Sequence, residues 1–292
     1  MTVLAVPATG RTIATATEAE AAAARIRHHV VDMCAGDEGG HLGGSLSCVD
    51  ILSVLYFDVL RVDPEQPHDP GRDIFLLSKG HAAIALYATL AERGFLDPAE
   101  LAGYGRRGSR LLGHPTRAVP GVELPTGSLG HGLALGLGLA LSARLREAGR
   151  RFGPRRRTYV LLGDGELQEG SCWESVMAAA STRADHLVAV VDRNGLQLGS
   201  PTERICPMEP LGERFRSFGW DVREVDGHDH GELRAALGTA PWTAGRPGVV
   251  IARTVKGNGV PAAENRINAH YTALPARVAA RAHRDLSLRK AS

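Results

Sequence analysis

The chain has 292 residues, 43% hydrophobic, 23% charged and only 5% aromatic, with 35 glycines and a formal net charge of +2. That length buries a sizeable core and fits one large α/β domain or two modest ones, and the near-neutral balance gives no electrostatic case for nucleic acid. No apolar run approaches the roughly 20 residues that cross a bilayer, no secretion signal opens the chain, and Cys34, Cys48, Cys172 and Cys206 lack zinc-site or disulfide-framework spacing, so a reducing cytoplasm is the expected location.

Residues 1–14 read as a loose or clamping tail. Thr17 with Glu20, or Thr15 with Glu18, offers a capping box, and the alanine-rich run behind it forms a helix that stops near Ala35-Gly36. A glycine turn at 39–44 carries His41, and from Leu46 the positions Val49, Leu52, Leu55 and Tyr56 recur at helical spacing. Residues 73–77 form a short buried strand running into Ser78-Lys79-Gly80-His81 and an apolar helix through Leu90, which puts His81 at a strand's carboxyl end. Gly113-His114-Pro115 lies in a loop rich in proline and glycine. A glycine-rich turn from Pro125 feeds a helix of small residues to Leu145. Gly132, Gly136 and Gly138 lower its helix propensity, so close backbone packing is expected there, internally or at a subunit interface. Arg150, Arg151 and Arg155 to Arg157 read as a solvated loop.

Residues 158–196 organise the chain. The apolar run Thr158 to Leu162 ends in Gly163-Asp164-Gly165, a helical segment follows, and a second run, Leu187 to Val191, ends in Asp192-Arg193-Asn194. Parallel strands joined by a crossover helix bring both carboxyl ends to one sheet edge, so Asp164 and Asn194 emerge side by side. Open α/β sheets bind ligands at that edge. A carboxylate and an amide oxygen there suit a hard divalent cation, and magnesium completes its shell with phosphate. The glycines beside Asp164 admit an anion close to backbone N–H groups. GDG alone is a common strand-to-turn sequence; the pairing with Asn194 is what points to a metal-bound polyphosphate.

Further on, Pro210 to Gly219 reads as a helix, Trp220 to Val225 as a strand, Asp226-Gly227-His228-Asp229 as a strand-end turn, Leu233 to Leu237 as a helix, and Val249 to Val255 as a strand ending in Lys256-Gly257. No repeat or low-complexity linker divides the chain. The fold class is α/β, a mostly parallel central sheet with helices on both faces, as one domain over 15–275 and a tail or short helix over 276–292.

The spacing GDG, helix, Asn resembles the thiamine diphosphate signature, and eight further segments resemble the amino-terminal, diphosphate-binding half of the transketolase family. They are GHLGG at 40–44, LSKGHAA at 77–83, GHP at 113–115, PGVE at 120–123, TGSLGHG at 126–132, DRNGLQ at 192–197, DGHD at 226–229 and TVKGNG at 254–259, in family order with GDGELQEGSCWE at 163–174. Two departures stand out. Arg193 and Gly195 flank Asn194 where a second Asn is common, and Asn268-Ala269 precede His270 where the family carries a Trp.

The resemblance implies a thiamine diphosphate-binding fold and a transketolase reaction, the movement of a two-carbon ketol unit from a ketose to an aldehyde. It implies that Asp164, Asn194 and the carbonyl of Leu196 hold Mg2+, with Gly163 and Gly165 beside them at the cofactor. Gly127 and Leu129 offer backbone groups to the aminopyrimidine, Lys256 lies on the cofactor side, His41 and His270 contact substrate oxygens, His114 meets the terminal hydroxyl, and His81 with His270 approaches the cofactor. Glu169 matches a glutamate that links two active sites across an interface, while Glu174 has an equal claim to simple helix-dipole placement. The activating glutamate of the family lies in a pyrimidine-binding domain that follows in full-length members, so a separate pyrimidine-binding subunit is the expected partner, in a heterotetramer. The alternatives are a carboligase acting on a 2-oxo acid such as pyruvate, which has less need of four imidazoles, and a non-catalytic scaffold subunit. His28, His29, His68, His131, His228 and His230 read as structural or exposed.

Overall fold

The computed structural model describes residues 17–35, 38–147 and 155–289. Of the two possible capping boxes, Thr17 opens the first helix, α1 (Glu18–Cys34): Thr17 N donates to Glu20 Oε2 at 2.6 Å and Glu20 N to Thr17 Oγ1 at 3.3 Å. There follow α2 (Leu42–Leu46), α3 (Val49–Val54), strand β1 (Ile74–Leu77), α4 (Ala83–Arg93), α5 (Gly132–Glu147), β2 (Thr158–Gly163), α6 (Gly170–Ser181) and β3 (Leu187–Arg193). A small ribbon pairs β4 (Leu196–Gln197) with β5 (Ser200–Pro201); then come α7 (Thr202–Ile205), α8 (Leu211–Ser217), β6 (Asp221–Asp226), α9 (His230–Gly238), β7 (Gly248–Arg253) and α10 (Ala276–Arg289).

The main sheet has order β1-β2-β3-β7-β6 and every neighbouring pair is parallel. Its central strands are continuous apolar runs because helices cover both faces. Ile74, Leu76, Val160, Leu162, Val191 and Ile251 pack with Leu133, Val176, Phe215 and Trp220 on one face. Phe75, Leu77, Tyr159, Leu161, Val190 and Val250 pack with Ile26, Leu52, Leu86 and Leu237 on the other. The strand alternation thus feeds two cores, one on each face, as expected for a doubly covered α/β sheet.

Three local expectations are corrected. The helix expected from Leu46 begins at Leu42 and breaks at Ser47-Cys48, where Cys48 leaves helical geometry (φ −101°, ψ 8°); Ser47 Oγ turns instead to Asp192 Oδ2 at 2.6 Å. The arginines before β2 are not simply a solvated loop. Arg157 donates its backbone N–H to Asp73 Oδ1 at 2.8 Å and pairs with its carboxylate at 3.4 Å, next to Arg61; Arg150 and Arg151 lie outside the described residues. Of the three glycines in α5, Gly132 and Gly136 have no room for a Cβ, against Ser78 and Val160, whereas a Cβ on Gly138 would meet nothing within 4 Å among the described residues. Residues 1–14 also lie outside the described residues. The segment after 275 is the helix α10, which buries Ala279, Ala282 and Leu286 and stacks His283 on His28 of α1 with ring centroids 5.0 Å apart.

Candidate active site

The register Gly163↔Asp192 between β2 and β3 sets the two strand ends nearly level, so Asp164 and the segment 194–196 leave the sheet together. Gly195, at φ +77°, turns the chain back over Asp164, a backbone conformation a side chain would strain. Asp164 Oδ2 accepts from Gly195 N at 2.6 Å and from Arg193 Nη1 at 3.0 Å, while Oδ1, among the described residues, accepts only from Gly165 N at 2.8 Å. Each carboxylate oxygen has two lone-pair sites, so Oδ1 keeps one. Asn194 donates Nδ2 to Asp192 Oδ2 at 3.1 Å, which fixes its amide orientation, and its Oδ1 accepts from Leu196 N at 3.1 Å.

Beneath lies a buried network that the sequence does not announce. Asp192, fully buried, accepts from Lys79, Ser47 and Thr254, and Lys79 also donates to Gly44 O at 2.7 Å. Glu166, 2% exposed, joins three loops. Its Oε1 accepts from Ser78 Oγ at 2.5 Å and Gly130 N at 3.0 Å, and its Oε2 from Gly163 N at 3.1 Å. Thr126 Oγ1 adds a bond to Leu77 O at 2.7 Å, docking the glycine-rich turn on the end of β1. The one signal in the sequence is positional: each of these charged residues sits at the carboxyl end of an apolar strand, where only a ligand or a partner can satisfy it.

Above this floor opens a cavity of about 380 Å³, lined by Lys79, His81, Gly127, Leu129, Gly163, Asp164, Gly165, Glu166, Glu169, Asn194, Leu196, Lys256 and His270, with Gly44, Gln168, Gln197 and Leu198. Lys256 Nζ donates to Leu196 O at 3.4 Å and lies 3.3 Å from His270 Nδ1. A paired bridge sets His41 beside His270: Gly40 N donates to Thr272 O at 3.0 Å and Thr272 N to Gly40 O at 2.9 Å. His41 is then the centre of a ring cluster, with centroids 5.3 Å from His81, 6.0 Å from His114, 5.3 Å from His270 and 4.9 Å from Tyr271. His114 is held through its carbonyl, which accepts from Tyr87 Oη at 3.1 Å. His41 and His114 do not line the cavity itself; His41 packs on the lining rings of His81 and His270, and His114 lies against His41 and Gly127. Glu169 is at the exposed rim, Glu174 faces outward from α6, and His131 is exposed.

The electrostatics divide the site in two. Burial and the neighbouring Asp192 raise the Asp164 carboxyl above its usual range despite Arg193, and burial raises Glu166 as well. A cation beside either carboxylate would favour its ionised form. Burial and Lys79 press Lys256 down to about 8, a strain that an incoming anion relieves. Burial, then the neighbouring cations and imidazoles, lowers His41 and His270 to about 4 and His81 well below its ordinary value, so these rings are neutral near pH 7.

The donor set at the strand ends fits magnesium: one carboxylate oxygen with a free site, an amide oxygen of fixed orientation and a carbonyl, all hard oxygens at the floor of a cavity with room for phosphates. Sheet, strand-end oxygens and cavity together define an α/β domain with a site shaped for a metal-bound polyphosphate. The chain matches the family described as "Transketolase, thiamine diphosphate binding domain" over residues 18–291, and it belongs to the transketolase family. It is 41% identical to an apulose-4-phosphate transketolase subunit of Phocaeicola vulgatus over 84% of this chain and 85% of that protein. It is 38% identical to the 6-deoxy-6-sulfo-D-fructose transketolase subunit SqwG of Clostridium sp., over 79% and 82%. The fold matches transketolase from Leishmania mexicana with a TM-score of 0.86 at 32% identity, over 94% of this chain and 42% of that one. The chain thus spans about two fifths of this full-length transketolase and most of the two subunits. Among the described residues, no helix is long and apolar enough to cross a membrane.

Proposed function

We propose that this chain is one subunit of an enzyme that transfers a two-carbon ketol unit from a ketose to an aldehyde with thiamine diphosphate and Mg2+. The observation that carries this reading is the juxtaposition of an oxygen-donor floor at Asp164, Asn194 and Leu196 with a cluster of four imidazoles, of which His81 and His270 line the same cavity and His41 and His114 pack behind them. When bound, the cofactor's thiazolium supplies the stabilisation of negative charge on carbon, and the protein binds and orients.

In this reading Asp164 Oδ1, Asn194 Oδ1 and the carbonyl of Leu196 hold the cation, protonated Lys256 faces the diphosphate, and Gly163 and Gly165 let it approach the backbone. Gly127 and Leu129 offer backbone groups to the aminopyrimidine, and His81 with His270 borders the cofactor. Neutral imidazoles both donate and accept hydrogen bonds. Among the described residues the buried His41 Nδ1 has no hydrogen-bond partner, and with His270 it takes the ketose hydroxyls and carbonyl oxygen, while His114 takes the terminal hydroxyl. The relatives are named for apulose-4-phosphate and 6-deoxy-6-sulfo-D-fructose, which supports a ketose carrying an anionic end.

A pyrimidine-binding partner chain completes the site, a reading supported by the relatives' designation as subunits. Self-association into a heterotetramer is supported by exposed apolar side chains on the two packed helices α5 and α6, Leu135 at 42% and Met177 at 48%.

Reconstitution with a candidate pyrimidine-domain chain tests the proposal: product should form from a ketose phosphate and an aldehyde, and depend on both chains, thiamine diphosphate and Mg2+. Turnover of pyruvate in place of the ketose would make the enzyme a 2-oxo acid carboligase. Calorimetry showing no cofactor binding in the presence of the partner would leave a scaffold.

A further inference from the structure

The Asp226-Gly227-His228-Asp229 turn lies outside the cofactor cavity, yet it ends in a buried polar network that reaches Lys256. Asp50 of α3 is the hub. It accepts from Arg27 Nη2 at 2.5 Å, its Oδ1 lies 2.9 Å from His230 Nε2 and its Oδ2 lies 2.8 Å from His228 Nδ1. Burial raises the Asp50 carboxyl, but Arg27, His228 and His230 outweigh it and hold the group ionised, well below the usual range. On the far side of the imidazole, Val255 N donates to His228 Nε2 at 2.8 Å.

These two contacts fix the ring's tautomer. A backbone N–H can only donate, so Nε2 is the bare nitrogen, and Nδ1 carries the proton given to Asp50. From the same loop the Asn258 amide donates to Asp50 Oδ2 at 3.4 Å; its 3.0 Å approach to the protonated Nδ1 is a contact between two donors and adds no hydrogen bond. The residue after Val255 is Lys256, and the loop continues through Gly257, whose N–H donates to Gly43 O at 2.9 Å. Asp50, on a helix of the core, therefore sets the imidazole, and the imidazole sets the backbone from which Lys256 enters the cavity.

We infer that His228 is a positioning residue for Lys256, an Asp-oriented imidazole that anchors the Val255 N–H and so aims the lysine ammonium at the cofactor's diphosphate. The last clause rests on the proposed cofactor reading; the anchoring does not. His228 acts through the loop and touches neither cofactor nor substrate.

Two conservative substitutions separate this role from mere filling of the Asp50 cluster. In His228→Asn the amide nitrogen stands near the place of Nδ1 and still serves Asp50, but nothing reaches Val255. In His228→Gln the carbonyl oxygen stands near the place of Nε2 and accepts from Val255, while Asp50 loses its donor.

Hydrogen exchange read by mass spectrometry on peptides spanning 254–259 follows the Val255 N–H, the group that His228 Nε2 accepts. His228→Asn should speed exchange there by about tenfold or more, and His228→Gln should keep it near the unmodified rate. The reverse ranking, or no difference between the two variants, overturns the proposal. Peptides from the core strands β2 and β3 are the internal control: faster exchange there in His228→Asn means that the core has opened, which also overturns a local anchoring role. With the partner chain present, thiamine diphosphate with Mg2+ should bind His228→Asn more weakly than His228→Gln, and Lys256→Met should erase that difference; equal binding by the two variants overturns the aiming of Lys256. If the unmodified chain with its partner binds no cofactor while the exchange ranking holds, the cofactor reading falls and the anchoring stands.

Discussion

Lys79 and Asp192 form an ion pair sealed beneath the cavity at the strand ends, with side-chain exposures of 1% and 0%. The pair joins the turn after β1 to the end of β3, and through the Asn194 amide it fixes which atom of that residue faces the cavity. A charge this deeply buried is tolerated because its partner and hydrogen bonds are all in place. Replacing one member strands the other, so Lys79→Met should destabilise the chain by roughly 3–5 kcal/mol, the cost of an orphaned buried charge. Urea unfolding measures it. A loss within the few tenths of a surface substitution would show that Asp192 is neutralised some other way.

Asp164 should show the opposite balance of stability and function. Its carboxyl is raised by burial and by Asp192, so its charge is a burden until a cation arrives. Asp164→Asn removes that charge while Arg193 keeps Glu203 and Glu209 as partners. The expected result is a chain at least as stable without metal, whose magnesium-dependent thiamine diphosphate affinity drops at least roughly tenfold, the cost of losing even an outer partner of a metal ligand. Paired thermal melts and calorimetry read both halves. Unchanged affinity would remove Asp164 from the metal site.

The layout was legible where chain order forces geometry. The runs at Thr158 to Leu162 and Leu187 to Val191 could be read as neighbouring parallel strands, so Asp164 and Asn194 had to emerge together, and the motif order placed His81 and Lys256 near the same edge. What escaped depends on long-range partners. Lys79, Asp192 and Glu166 look like ordinary surface charges until the sheet buries them against one another. Glycine showed the same limit: the α5 pattern predicted close packing at three positions, and only the two facing Ser78 and Val160 have it. The helix break at Ser47-Cys48 was invisible because its cause, a bond from Ser47 to Asp192, spans 145 residues.

The imidazole cluster sets an acid limit on the fold. His41 and His270 titrate near 4 in the folded chain against 6.5 as a reference, and His81 lies well below that reference. At pH 7 all three are neutral in both states, so they cost nothing. As pH falls through 6.5 the unfolded chain takes up protons that the folded chain refuses, and stability drops until about pH 4, where His41 and His270 begin to charge in place. Urea midpoints between pH 7.5 and 4.5 should fall, and His81→Gln should flatten part of that slope. A midpoint independent of pH across this window would mean that the rings hydrate and charge freely.

Lys256 sets the alkaline limit on cofactor binding. Burial and Lys79 lower its ammonium to about 8 in the free chain, and a diphosphate prefers the protonated form. Below pH 8 the ammonium is present and affinity should be flat. Above it, each further pH unit removes roughly a factor of ten of the protonated form, with affinity falling in parallel until the residual affinity of the deprotonated chain is reached. Calorimetry with thiamine diphosphate at saturating Mg2+ from pH 7 to 9.5 measures the bend. Lys256→Met should bind more weakly at pH 7 and lose the bend, while Lys256→Arg should keep the charge and move the bend out of range. A bend of unchanged position in Lys256→Met would assign the titration to another group.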